Sequence, residues 1–302
     1  MSHRPWVIVA IFFLMVLSVA LLSCSNESDI RPYAPTETYP DDSILAGIPV
    51  KRAMVVIAHD DDMCAMAGTM ALLNRENWDI AVISFTKTAE RNAAQVQACR
   101  EIADTVMFVD LQPQQYRNDL DTVESPFHAI PRAAFARVFN DSLIAAGYLD
   151  PIREFDPSVI FTLDNVMGGY GHPEHAFVSQ MVLDLSREKL ISPAYVYQSV
   201  YTDHMERSIM ARHAERMKAW GFPGDEWDKA RELYGAPSGM PEPDVQIDIS
   251  GLARIKMDYL RSYNRREREI LDFFIPHFEE FPAEEYFSVF DREFFHVIEF
   301  SE

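Results

Sequence analysis

Two short segments of this chain collect side chains that bind cations. The first is Ala58-His59-Asp60-Asp61-Asp62-Met63, three carboxylates beside an imidazole. The second is Gly168-Gly169-Tyr170-Gly171-His172-Pro173-Glu174-His175. Its two histidines are three residues apart, a spacing that can put both on one helical face. Asp and His together suit Zn²⁺ and similar divalent ions. Clustered acids repel a pyrophosphate, and the first segment lacks the glycine-rich turn of a dinucleotide site. Blander origins exist for each: an acidic loop that caps the next helix, and a surface histidine pair. That both clusters follow apolar runs favours chemistry over coincidence.

Those runs define the frame. Residues 53–58, 80–85, 106–109, 158–163 and 194–200 are short and apolar, as expected of buried parallel strands. Helical patterns over 64–75, 89–103, 130–147 and 173–187 alternate with them. The order implies an α/β fold that is Rossmann-like, a mostly parallel sheet with helices on both faces in three α/β/α layers. Ligands of such sheets bind at the carboxyl ends of the strands. Both segments fall there, after the first and fourth strands. Beyond residue 205 the pattern predicts a helical, loop-rich stretch over 206–235, an edge strand over 245–249, a charged helix over 250–274, and one or two closing strands over 286–300.

The paired segments resemble those of the LmbE-like, or PIG-L-type, N-acetylglucosaminyl deacetylases, which carry Ala-His-Pro-Asp-Asp-Glu and Gly-Tyr-Gly-His-Pro-Asp-His. The resemblance extends over roughly residues 51–270 if Lys256-Met257-Asp258-Tyr259-Leu260 stands for the family's late lysine helix. It implies that His59, Asp62 and His175 bind zinc or another divalent cation, that Asp61 is the general base, and that His172 and Tyr170 steady the oxyanion. The implied reaction is hydrolysis of an N-acyl (acetyl) group on an amino sugar or glycoconjugate, with a metal-bound water as nucleophile. Three protein ligands leave a place for water, the pattern of catalytic zinc, and bound zinc lowers the pKa of that water to about 7. Asp61, next to a ligand without being one, can carry its proton to the leaving amine. Asp60 and Met63 depart from the family's Pro and Glu. Lys87 and Arg91 follow the second strand and could touch substrate or simply begin a solvated helix. Arg261, Arg265, Arg266 and Arg268 read as an exposed helix face. Trp220, Phe222 and Trp227 could stack on a sugar or pack in the core.

The formal net charge of -20 over 302 residues disfavours nucleic acid and other polyphosphates as partners. Residues 1–23 read as a lipoprotein signal, with an apolar run ending in Leu21-Leu22-Ser23-Cys24. A lipid on Cys24 would be the sole membrane contact and would put the protein in the bacterial cell envelope, extracytoplasmic, at the outer membrane or facing the periplasm. Residues 24–50, rich in Pro and acids, read as a tether, and 51–302 as the deacetylase domain. Cys64 and Cys99 are expected as free thiols. Two other functions fit parts of the pattern. A non-catalytic sugar-binding lipoprotein would have no need of Asp61, and a metallophosphoesterase would want two metals and more ligands.

Overall fold

The computed structural model describes residues 27–122 and 128–300. The signal segment and Cys24 lie outside the described residues. Five strands run parallel: β1 (Arg52–Val56), β2 (Asp79–Phe85), β3 (Thr105–Val109), β4 (Val159–Leu163) and β5 (Tyr195–Val200). Two more, β6 (Val245–Asp248) and β7 (Arg292–Glu299), complete a seven-stranded sheet of order β3-β2-β1-β4-β5-β7-β6, with β7 antiparallel to both neighbours. Strand side chains alternate between two cores. Ala53, Val55 and Phe161 join one and Met54, Val56 and Ile160 the other, so both faces are covered.

The helices flanking the sheet are α1 (Ala67–Arg75), α2 (Ala89–Ala98), α3 (Asp141–Phe155), α4 (Pro173–Arg187), α5 (Asp203–Ala219), α6 (Glu226–Tyr234), α7 (Ala253–Arg261), α8 (Arg265–Leu271) and α9 (Ala283–Val289). The chain leaves β1 toward β2 and β3 on one side, then returns to place β4 on the other. The carboxyl ends of β1 and β4 therefore flank a topological switch point, where open α/β sheets leave a crevice.

Several expected elements differ. The helix over 130–147 is interrupted: Phe139 is extended, and the Asn140 side chain accepts the Leu143 N–H to start α3, which runs on to Phe155. The helix over 250–274 is likewise cut where Asn264 caps α8. In each case a side-chain cap competes with the backbone ladder, and an apolar pattern cannot register that. Tyr286, Phe287 and Val289, read as strand, lie in α9, where their spacing buries all three. Residues 27–50 are packed against the domain. Ile30 and Leu45 are buried, Asp41 bridges to Gln246, and the Tyr197 hydroxyl donates to Asp42 at 2.6 Å. Scattered apolar residues among the prolines anchor this stretch. Among the described residues, no helix is long and apolar enough to cross a membrane.

Candidate active site

The loop after β1 is held by its backbone. The Tyr148 hydroxyl donates to the Ile57 carbonyl at 2.8 Å, and those of Tyr263 and Tyr259 donate to the Asp60 carbonyl at 2.6 and 3.2 Å. Within the loop, Asp62 Oδ2 accepts the His59 N–H at 2.8 Å. That bond turns Oδ1 outward, 3.1 Å from His175 Nε2 and 3.6 Å from His59 Nδ1.

The loop after β4 is organised by Asp164, a buried acid whose carboxylate accepts the N–H groups of Val166, Met167 and Gly169. It brings the chain to Gly168, whose φ is +62° and where a Cβ would meet Ala176 N at 2.6 Å. Only glycine accommodates both the conformation and the close approach of α4. In return, the Gly168 carbonyl lies 3.0 Å from His175 Nδ1. Pro173 begins α4, and His172 is its cap.

These bonds decide which ring nitrogens are bare. His175 Nδ1–H donates to Gly168, so Nε2 presents a lone pair. His59 Nε2–H donates to Glu174 Oε2 at 2.8 Å, so Nδ1 presents one too. The two bare nitrogens face each other at 2.7 Å. Two lone pairs at that distance require a cation between them, a proton or a metal ion. The site's electrostatics demand the same. Burial pushes Asp62 and Glu174 up, but the neighbouring imidazoles outweigh it and hold both carboxyls well below their usual range. Burial and Lys87 oppose a proton on His59, yet Asp62 and Glu174 prevail and raise it to about 9. Two imidazole nitrogens and a carboxylate oxygen fit a divalent ion of the zinc type, which replaces such protons on binding.

The other expected residues gather around this cluster. His172 stacks on His175, with ring centroids 4.4 Å apart, and a ligand atom of His59, His172 and His175 lies within 4.8 Å of the others. His172 Nδ1 accepts the Glu174 N–H at 3.3 Å, however, which leaves Nε2 as a donor rather than a ligand atom. Burial, then His175 and His59, lower its pKa well below the usual value and keep the ring neutral. Tyr170 lies flat on Phe274 at 4.0 Å and edge-on to His175 at 5.2 Å. Burial holds its hydroxyl protonated. Asp61 Oδ1 is 3.2 Å from Arg91 Nη2. All of these line one cavity of about 250 Å³, together with Lys87 and Arg91. Trp220, Phe222 and Trp227 do not line it. Trp220 is 49% exposed, and the other two pack on the core.

The departures from the family pattern are accommodated. Asp60 is fully buried and pairs with Arg91 through two nitrogens, at 2.9 and 2.5 Å. Burial and Asp61 still raise its pKa, to about 6 against the pull of Arg91. Met63 is a buried core residue. The first helix begins at Ala67 after a 3-10 turn over Asp62–Ala65, and its Gly68 and Thr69 N–H groups donate to Glu293, the partner of Lys256.

Sequence reasoning missed the support behind the rings. Glu174 also accepts from the Tyr116 hydroxyl at 3.1 Å and pairs with Arg117 at 2.6 Å. The loop after β3 that supplies both carries no recognisable motif. The position of Asp164, directly after an apolar strand and before two glycines, was a usable signal.

The fold and site define an α/β protein with a histidine–carboxylate cluster at its switch point. Residues 54–186 match the PIG-L family, described as GlcNAc-PI de-N-acetylase, and the chain carries a PIG-L family domain over that span. No curated protein matches the sequence. Among solved structures, the A40926 pseudoaglycone deacetylase is similar at 14% identity over 84% of this chain and 99% of its own, with a TM-score of 0.49. The N,N'-diacetylchitobiose deacetylase of Pyrococcus horikoshii shares 14% identity over 85% and 89%, with a TM-score of 0.45. The 4-carboxy-2-hydroxymuconate hydratase GalB of Pseudomonas putida shares 13% over 82% and 96%, with a TM-score of 0.48.

Proposed function

We propose that the protein is a divalent-metal-dependent N-deacylase that hydrolyses the N-acyl amide of an amino sugar or glycoconjugate. The observation that carries this reading is the pair of bare nitrogens on His59 and His175, facing each other beside the Asp62 carboxylate. The match of residues 54–186 to a de-N-acetylase family supports the same reading.

His59, Asp62 and His175 would hold the ion. Once bound, a divalent ion polarises an amide carbonyl and makes a water easier to deprotonate. Asp61, in the cavity wall, takes the proton of the attacking water and returns it to the leaving nitrogen. The Arg91 guanidinium, 3.2 Å from its Oδ1, orients Asp61 for that task. His172 and Tyr170, both neutral and lining the same cavity, would donate to the oxygen on which negative charge develops.

The test is release of primary amine from a panel of N-acylated amino sugars, before and after chelation and after return of Zn²⁺. Amine release that chelation stops and metal restores supports the reading. Release that survives exhaustive chelation, or no release from any sugar, overturns it.

A further inference from the structure

Behind the main cavity lies a second chamber of about 80 Å³. The two adjoin, and both are lined by Cys64, Ala65, Ser199, Val200, Tyr201 and Phe274. Three of these six, Cys64, Ala65 and Ser199, have small side chains that leave room at the junction. The charged groups of the main cavity, Asp61, Asp62, Lys87, Arg91 and Glu267, do not line the chamber. Apart from Lys256, Arg292 and Glu293, the chamber's lining carries no charge, whereas the main cavity holds Asp61, Asp62, Lys87, Arg91 and Glu267 beside the histidines.

The chamber itself is walled by Met205, Ile209, Ile275, Phe287 and Phe290. Its polar atoms are already committed. Lys256 and Glu293 pair with each other at 2.5 Å. The Arg292 guanidinium meets Asp291 and Gln246. The Tyr286 hydroxyl donates to the Pro276 carbonyl, and that of Tyr201 to the Phe274 carbonyl. A space so lined offers a ligand dispersion and dehydration and little else. It is about half the ~150 Å³ cavity that accepts benzene, which is room for about three carbons.

We propose that this chamber receives the alkyl end of the substrate's acyl group, so that the preferred substrates carry N-acyl chains of about four to six carbons rather than acetyl. The inference rests on the N-deacylase reading above and deepens it. An amide centred on the histidines has one arm in the charged main cavity and one toward the chamber. The hydroxylated sugar belongs in the cavity and the hydrocarbon in the chamber. Each methylene that moves from water into such a chamber is worth about fourfold in kcat/KM.

The experiment compares N-acetyl-, N-butyryl-, N-hexanoyl- and N-octanoylglucosamine with the metal-loaded full chain, its Met205→Trp variant and its Phe290→Ala variant. The readout is the ratio of kcat/KM values within one preparation, which cancels any difference in folded fraction. The expected wild-type preference for hexanoyl over acetyl is about tenfold or more. In Met205→Trp, with the chamber filled, the ratio falls to one or below. In Phe290→Ala, with it enlarged, the optimum moves to octanoyl. Efficient hydrolysis of acetyl with no gain from longer chains, and no change of ratio in either variant, overturns the chamber while leaving the deacylase reading intact. No amine from any member of the series overturns both.

Discussion

The bare Nδ1 of His59 and the bare Nε2 of His175 face each other at 2.7 Å across the mouth of the β1–β4 crevice, and each is bare because the ring's other nitrogen is already engaged. One is engaged by Glu174, the other by the Gly168 carbonyl. The site is thus set by residues outside the ligand set as much as by the ligands, and its behaviour on mutation follows from that.

Glu174→Gln is expected to weaken metal binding by about 10–100-fold, as loss of a carboxylate behind a ligating histidine typically does. The amide can rotate to present N–H to His59, which frees the ring to adopt the wrong tautomer. It also leaves Arg117 without the carboxylate at 2.6 Å. Competition titration against a coloured chelator measures the change. An unaltered metal affinity would show that Glu174 does not set the ring.

Asp61→Asn is expected to retain the metal and lose about 10²–10⁴-fold in amine release. Asn keeps the size and one acceptor but takes up no proton at neutral pH. Metal content and rate must be measured on the same preparation. Equal rates for wild type and variant would assign the base to another group.

The sheet, its parallel core and the placement of both clusters at strand ends were legible in the sequence, because buried parallel strands leave unbroken apolar runs and function sits at their carboxyl ends. The site's second layer was not. Tyr116 and Arg117 reach Glu174 from a loop without a motif, and Tyr259 on α7 and Tyr263 in the bend after it reach the Asp60 carbonyl from about 200 residues away. Only the folded chain brings such partners together. Asp60 shows the same limit. Read along the sequence it adds charge beside Asp61, whereas in the fold Arg91 neutralises it from α2. The breaks at Asn140 and Asn264 escaped because one side-chain cap outweighs several residues of pattern.

Glu206 gives a pH-dependent stability that is independent of the metal cluster. Burial, aided by Asp164 and Asp203 and opposed by the Met240 N–H and Arg231, raises its carboxyl to about 7. Its folded pKa is above its unfolded one, so its contribution is complete below about 4.5 and is lost as the pH rises through 7. Glu206→Gln keeps an acceptor for Met240 and removes the ionisation. Relative to wild type the variant should gain roughly 1–2 kcal/mol between pH 5 and pH 8, after allowance for partial solvent screening. That amounts to a few degrees of Tm in a chain of this size. Thermal melts at the two pH values read it out, and the same offset at both would refute it.

Metal analysis of the purified chain beside its His175→Ala variant bears on the cluster itself. Both proteins are loaded with Zn²⁺, desalted and measured for metal and protein on the same sample, with circular dichroism to establish that the variant is folded. Wild type is expected to hold about one ion per chain and folded His175→Ala close to none, because three protein ligands make the site and two do not. Equal zinc in the two proteins, or none in either, would contradict a metal centre built on His59, Asp62 and His175.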